Sequence, residues 1–312
     1  MNALLFPGQG SQLVGMGQEF FDNFKSVKDI FKEADDKLNY SISKIILKGP
    51  EDQLQLTQNT QPAILVVSYS IFMIMKKEFG INLNSFKYFA GHSLGEYSAL
   101  VCSGSLSFND ALYLLHERGK AMQAAVPVGR GKMIAVLGLN PEEIKNLISQ
   151  KIDEQGICEI ANDNANGQVI VSGDKESVNT FEIFLKEKKV KSIPLKVSAP
   201  FHCSLMRPAA ESMQEKILGT DFNNATTKIV NNVTAKAEDD AAEVKKLLIE
   251  QIFSTVRWRE SLIYMNNNSI KNFIEIGPGK VLTGMVKRTI KDSNCFSINT
   301  IADIKNLENE LK

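Results

Sequence analysis

Tyr88-Phe89-Ala90-Gly91-His92-Ser93-Leu94-Gly95-Glu96-Tyr97-Ser98-Ala99-Leu100-Val101-Cys102 decides the fold. An apolar strand at residues 88–90 runs into a glycine-flanked serine, and a helix follows from Glu96. Gly91-x-Ser93-x-Gly95 between strand and helix matches a nucleophile elbow, where a tight turn lifts the serine oxygen above the sheet edge. A side chain in place of either glycine would crowd that turn. The Leu94 amide and the helix start place positive charge where an oxyanion would form. The motif alone leaves two readings open, a nucleophile or a plain tight turn.

The same grammar recurs on both sides. Residues 3–6 form a short apolar strand entering Pro7-Gly8-Gln9-Gly10, with helical patterns from about Met16. Phe273-Ile274-Glu275-Ile276 enters Gly277-Pro278-Gly279, and a helical run over 280–291 follows. Three strand-turn-helix units predict an α/β protein whose sheet is mostly parallel, with its loops gathered at one edge.

Between about 126 and 198 the pattern changes. Strand 133–137, helix 141–151, strands 157–161 and 168–172, helix 176–188 and strand 190–195 give the order βαββαβ, a ferredoxin-like unit. Asn140 is the expected N-cap of the first helix, with Pro141 at its first position and Glu142 and Glu143 facing the positive helix end. Gly129-Arg130-Gly131 and Ser198-Ala199-Pro200 mark hinges. The expected division is therefore a core of 1–125 and 199–312 with a subdomain, 126–198, inserted in it.

The chain has 312 residues, 43% hydrophobic, enough for a sizeable core. Its 36 basic residues balance 36 acidic ones, so no global field favours nucleic acid or an anionic membrane. The apolar stretch 63–75, broken by Ser68 and Ser70, is short of the roughly 20 residues that span a bilayer and reads as a buried helix. The opening Met1-Asn2-Ala3-Leu4-Leu5-Phe6 lacks the basic segment and apolar length of a signal peptide. Cys102, Cys158, Cys203 and Cys295 form no CxxC pair, which argues against structural zinc and disulfides and for a reducing, cytoplasmic setting.

Only His92, His116 and His202 can serve as base for Ser93. His92 is the serine's neighbour, and adjacent side chains there diverge. His116 falls in an amphipathic helical stretch and reads as a surface or packing residue. His202 follows the inserted unit in Ala199-Pro200-Phe201-His202-Cys203, a loop able to return to the elbow. It is the favoured base; the alternative is a cap for a helix starting near Ser204.

Phe6-Pro7-Gly8-Gln9-Gly10-Ser11-Gln12, Gly91-His92-Ser93-Leu94-Gly95-Glu96-Tyr97, Arg118-Gly119-Lys120-Ala121-Met122-Gln123 and Pro200-Phe201-His202 together resemble the malonyl-CoA:acyl-carrier-protein transacylase family. Asn231-Asn232-Val233, Val256-Arg257-Trp258 and Glu275-Ile276-Gly277-Pro278-Gly279-Lys280 extend the likeness over nearly the whole chain. The resemblance implies an α/β hydrolase-like core with an inserted ferredoxin-like subdomain and an active site in the cleft between them. It further implies ping-pong transfer of malonyl from malonyl-CoA to the phosphopantetheine thiol of acyl carrier protein, for fatty-acid biosynthesis. Ser93 would be the nucleophile and His202 its base. Gln9 and Leu94 would supply the oxyanion hole, and Arg118 would hold the malonyl carboxylate in a two-bond fork. The Gln251 carbonyl would orient His202, Phe201 would exclude an α-methyl group, and Asn162 would contact substrate.

No resident cofactor or metal is expected, since coenzyme A and phosphopantetheine are substrates. The partner is a transiently bound acyl carrier protein, and the expected state is a monomer without membrane or nucleic-acid contacts. Two departures stand out: Asn166 and Thr255 occupy positions where the family often has proline, which predicts looser turns. Lys280, Lys287, Arg288 and Lys291 fall at spacings that would share one helical face, either a carrier-docking patch or, by default, a solvated basic face. A serine esterase or thioesterase, and a non-catalytic carrier-binding protein, are the rival readings.

Overall fold

The computed structural model describes residues 1–197 and 199–311, without the side chains of Asn84 and Leu311; Ser198, in the second predicted hinge, lies outside the described residues. Its larger sheet has six strands in the order β10-β9-β1-β2-β7-β8. These are β1 (Asn2–Phe6), β2 (Tyr88–Gly91), β7 (Lys228–Val230), β8 (Ala237–Glu238), β9 (Asn272–Ile276) and β10 (Asn294–Ile298). All neighbouring pairs are parallel except β7 with β8. The three strands expected from sequence lie side by side as β9-β1-β2, with Ala3 opposite both Tyr88 and Phe273. The fold is thus mixed α/β with a mostly parallel sheet.

The apolar composition of β1 follows from burial on both faces. Leu4 and Phe6 point into one core, together with Phe89, Ile274 and Ile276. Ala3 and Leu5 point into the other, with Tyr88, Ala90 and Phe273. The strand's period of two therefore feeds two cores. The helix Thr57–Lys77 packs into the first, and its residues Ala63, Ile64, Leu65 and Val66 are wholly buried, as the apolar stretch predicts. Trp258 and Leu282, on the helices Trp258–Asn267 and Val281–Thr289, fill the second.

A second sheet is antiparallel and ordered β4-β5-β3-β6, from β3 (Gly131–Leu137), β4 (Cys158–Ala165), β5 (Gln168–Asp174) and β6 (Lys191–Pro194). The helices Pro141–Lys151 and Lys175–Glu187 cover one face, where Ile134, Val136, Val171, Ile144 and Phe181 form a separate core. Asn140 caps the first of these helices in a full capping box with Glu143, and Pro141 sits in its first turn.

Three expectations need correction. The strand expected to stop at residue 161 continues to Ala165, through two register shifts, because the Asp163 and Asn164 side chains find partners outside their own sheet and the backbone around Asn162 bridges to Val256. Thr255 does not loosen its turn: its hydroxyl donates to the Ile160 carbonyl at 2.6 Å and the next amide, Val256, donates to Ala161 at 2.8 Å. Lys280, Lys287, Arg288 and Lys291 do not share one helical face. The helix spans only Val281–Thr289, with Lys280 as its N-cap, because Ile290 leaves helical geometry to bury its side chain. Arg288 instead reaches β5, donating to Gln168 Oε1 at 2.8 Å.

Candidate active site

Ser93 leaves the carboxyl end of β2 with φ 52°, in the left-handed region where a non-glycine residue is strained. The turn is tight enough that a Cβ on Gly91 would lie 1.9 Å from the Gly95 backbone, and one on Gly95 would lie 2.2 Å from the Phe6 carbonyl oxygen. Both elbow glycines are therefore obligatory. Asn232, following β7, clasps the turn from below. Its Oδ1 accepts the Ser93 N–H at 2.7 Å, and its Nδ2 donates to the Gly91 carbonyl at 2.8 Å.

Ser93 Oγ lies 2.8 Å from His202 Nε2, and His202 Nδ1 lies 2.9 Å from the Gln251 backbone oxygen. A carbonyl can only accept, so Nδ1 carries the proton and Nε2 is left to take the one on Ser93. Burial, reinforced by the Arg118 charge, lowers the His202 pKa to about 3 and keeps the ring neutral. The other two histidines are occupied elsewhere. His92 Nε2 meets Asn164 Oδ1 at 2.8 Å and its ring packs edge-on against Trp258, while His116 Nδ1 meets the Gln58 carbonyl at 3.1 Å.

Arg118, on the helix Phe108–Ala124, is only 1% exposed. Its Nη1 donates to Gln61 Oε1 at 2.8 Å, and its Nη2 donates both to Gln251 Oε1 at 2.9 Å and to Ser93 Oγ at 3.1 Å. Its Nε has no hydrogen-bond partner among the described residues. Gln61 Nε2 donates in turn to Thr57 Oγ1, which donates to Gln9 Oε1 at 2.9 Å. The Gln9 side-chain oxygen is thereby turned away, and it is the Gln9 backbone N–H that remains for the cleft. No described residue accepts from the Gln9 or Leu94 N–H.

These groups open on a cleft of about 400 Å³, lined also by Asn162 and Phe201. The cleft lies between the carboxyl end of the parallel sheet and the antiparallel sheet, where open α/β folds bind ligands. Every site residue singled out from sequence borders it or, for Gln251, backs it. A larger hollow of about 820 Å³ beside Arg257 and Arg259 contains no nucleophile and base in contact.

Sequence reasoning assigned no role to Glu96, Asn232, Gln61 or Asn164. Glu96 is 2% exposed, and its Oε2 accepts from the Asn232 N–H and from Gln251 Nε2, both at 2.9 Å. Burial raises its pKa to about 7. A glutamate inside the apolar run 94–102 was the available signal for it. Asn232 lay within a recognised motif, but nothing local says that it reaches residue 93. Among the described residues no helix is long and apolar enough to cross a membrane.

A buried serine–histidine pair with an arginine on the serine oxygen has the parts that nucleophilic acyl transfer requires. The chain belongs to the acyl transferase domain family, which matches residues 3–310. It is similar to the malonyl CoA-acyl carrier protein transacylase of Bacillus subtilis, with 43% identity over 92% of this chain and 89% of that protein. Among solved structures it resembles the acyl-carrier-protein-S-malonyltransferase of Bartonella henselae, at TM-score 0.96 and 40% identity over 99% of both chains. It also resembles a malonyl-transacylase in complex with its type II PKS acyl-carrier protein, at TM-score 0.95 and 37% identity over 99% of both.

Proposed function

We propose that this chain transfers malonyl from malonyl-CoA to the phosphopantetheine thiol of acyl carrier protein through a malonyl-Ser93 intermediate, as a step of fatty-acid biosynthesis. The observation that carries this reading is Arg118 Nη2 at 3.1 Å from Ser93 Oγ. A malonyl carboxylate lies one methylene beyond the ester carbonyl, so its receptor must stand beside the nucleophile. A buried planar guanidinium meets that requirement and forms two parallel bonds to a carboxylate.

His202 Nε2 takes the hydroxyl proton as Ser93 Oγ attacks the thioester carbonyl. The Leu94 and Gln9 backbone amides receive the oxyanion. Collapse expels the coenzyme A sulfur, which takes the proton from His202 and leaves malonyl-Ser93. The second half runs in reverse order of roles: His202 deprotonates the carrier thiol, the thiolate attacks the ester, and Ser93 recovers its proton. The malonyl carboxylate offsets the Arg118 charge that depresses His202, so bound substrate strengthens its own base. Phe201 fills the room that an α-methyl group would need, and Asn162 contacts the acyl or pantetheine chain. Coenzyme A and phosphopantetheine pass through as substrates, with no resident cofactor.

The antiparallel order β4-β5-β3-β6 with two helices on one face supports a ferredoxin-like subdomain over 126–198. The elbow at the centre of the parallel sheet supports a hydrolase-like core over 1–125 and 199–312.

The test is intact mass after brief incubation with malonyl-CoA, for the native protein, Ser93→Ala and Arg118→Ala. The expected result is an adduct on the native protein that is absent from Ser93→Ala and discharges onto phosphopantetheinylated carrier. Arg118→Ala should lose malonyl transfer while use of neutral acyl-CoA rises. An adduct lost only to water would indicate a hydrolase, and no adduct a non-catalytic protein.

A further inference from the structure

Gln251 ends the helix Ala241–Gln251 and meets the site through two separate parts of itself. Its backbone carbonyl holds His202 Nδ1. Its side-chain amide bridges two charged groups: Oε1 accepts from Arg118 Nη2, and Nε2 donates to Glu96 Oε2 at 2.9 Å, to the Ser93 carbonyl at 3.1 Å and, more weakly, to Asn232 Oδ1 at 3.3 Å. The direction of this amide is fixed by chemistry, because guanidinium only donates while a carbonyl only accepts. Turned around, the amide would aim its N–H groups at Arg118 and its oxygen at the Glu96 oxygen.

Glu96 Oε2 is itself held by the Asn232 N–H. Glu96, Gln251, Asn232 and Arg118 are all 2% exposed or less, so water cannot replace a lost partner at any of them. Since Oε2 already accepts two N–H groups, a proton taken up by this carboxyl sits on Oε1 and leaves the hold on Gln251 in place.

We infer that Glu96 is a positioning residue for substrate selection: by holding Gln251 Nε2 it keeps Gln251 Oε1 on Arg118, which fixes the guanidinium in the orientation that receives the acyl carboxylate. The inference rests on the malonyl-transfer reading above. It divides Gln251 into a main-chain role in proton transfer and a side-chain role in specificity. A side-chain replacement removes the second and keeps the first.

The experiment is steady-state transfer to carrier protein from malonyl-CoA and, in parallel, from acetyl-CoA, which lacks the carboxylate. The proteins are the full chain and its Gln251→Met, Gln251→Asn, Glu96→Met and Glu96→Gln variants. Loss of one hydrogen bond to a charged group predicts that both Gln251 variants and Glu96→Met raise the malonyl-CoA KM by about 10- to 100-fold relative to the acetyl-CoA KM. Glu96→Gln keeps an acceptor oxygen for Gln251 and so keeps the native preference. Gln251→Asn retains a polar amide too short to bridge, and it carries the test if the methionine variants do not accumulate folded. Equal losses with both acyl donors, an unchanged ratio in Glu96→Met, or an unchanged ratio in the Gln251 variants would overturn the assignment while native labelling of Ser93 stands. Absence of malonyl labelling in the native protein would overturn the underlying reading and this assignment with it.

Discussion

The two sheets hold buried residues by different means. Strand β1 of the parallel sheet is buried by its own apolar residues, Ala3 to Phe6 all lying at 0% exposure. Strand β4 of the antiparallel sheet buries Asn162, Asp163 and Asn164, and partners from the other part of the molecule meet the side chains of Asp163 and Asn164. Asn164 meets His92, Asp163 pairs with Arg259 at 2.8 Å, and Asn162 forms a parallel bridge with Val256. Apolar burial needs only a core, whereas polar burial needs a particular neighbour in a particular place. The parallel sheet therefore sets where Ser93 stands, and the polar seam sets where the opposite wall of the cleft stands.

The largest expected effect breaks the parallel side. Gly91→Ala forces a Cβ into backbone that cannot move without opening the elbow, and a loss of about 3 kcal/mol or more is expected in denaturant unfolding, with no Ser93 acylation. A folded, active Gly91→Ala protein would mean the elbow is looser than this geometry. A smaller effect is expected at the seam. Arg259→Met leaves Asp163 buried without its ion-pair partner and should destabilise by about 2–3 kcal/mol, with the guanidinium's partial exposure keeping the figure below that of a fully buried pair. If Asp163→Asn combined with Arg259→Met recovered none of that loss, the pair would not be what fixes β4.

The smallest effect sharpens the comparison where the two sides meet. His92 and His202 both have lowered pKa values, chiefly through burial. Below about pH 6.5 the unfolded chain binds protons at these residues more readily than the native protein does, so they remove stability as pH falls through that window. Catalysis should not follow the same curve. The rate at which a neutral ester acylates Ser93 should stay flat as pH falls from about 8 to about 5, since His202 remains an unprotonated base down to about 3. A limb centred near 6.5 would show that water reaches His202.

The same contrast explains what was legible in the sequence. The elbow was legible because Gly91 and Gly95 answer a local steric demand, and the three central strands were legible because their apolar runs match burial on both faces. His202 could be reached by elimination among three histidines. Strand β4 read as ending at Ala161 because Asn162-Asp163-Asn164 looks like a loop until its distant partners are known. The Gln251 side chain was illegible for the same reason, since one of its acceptors, the Ser93 carbonyl, is 158 residues away. Sequence periodicity reports an element's own faces and carries no record of a hydrogen bond made across the fold.

The placement of β1 between β2 and β9 bears on how the protein comes into being. A growing chain that has made Ser93 still lacks the histidine that would deprotonate it in the proposed mechanism, the carbonyl that holds that histidine, and the strand that closes the other side of β1. Contacts so far apart in sequence form late and slowly. Partial chains consequently carry an unarmed serine, and reactivity arrives only with the nearly finished fold.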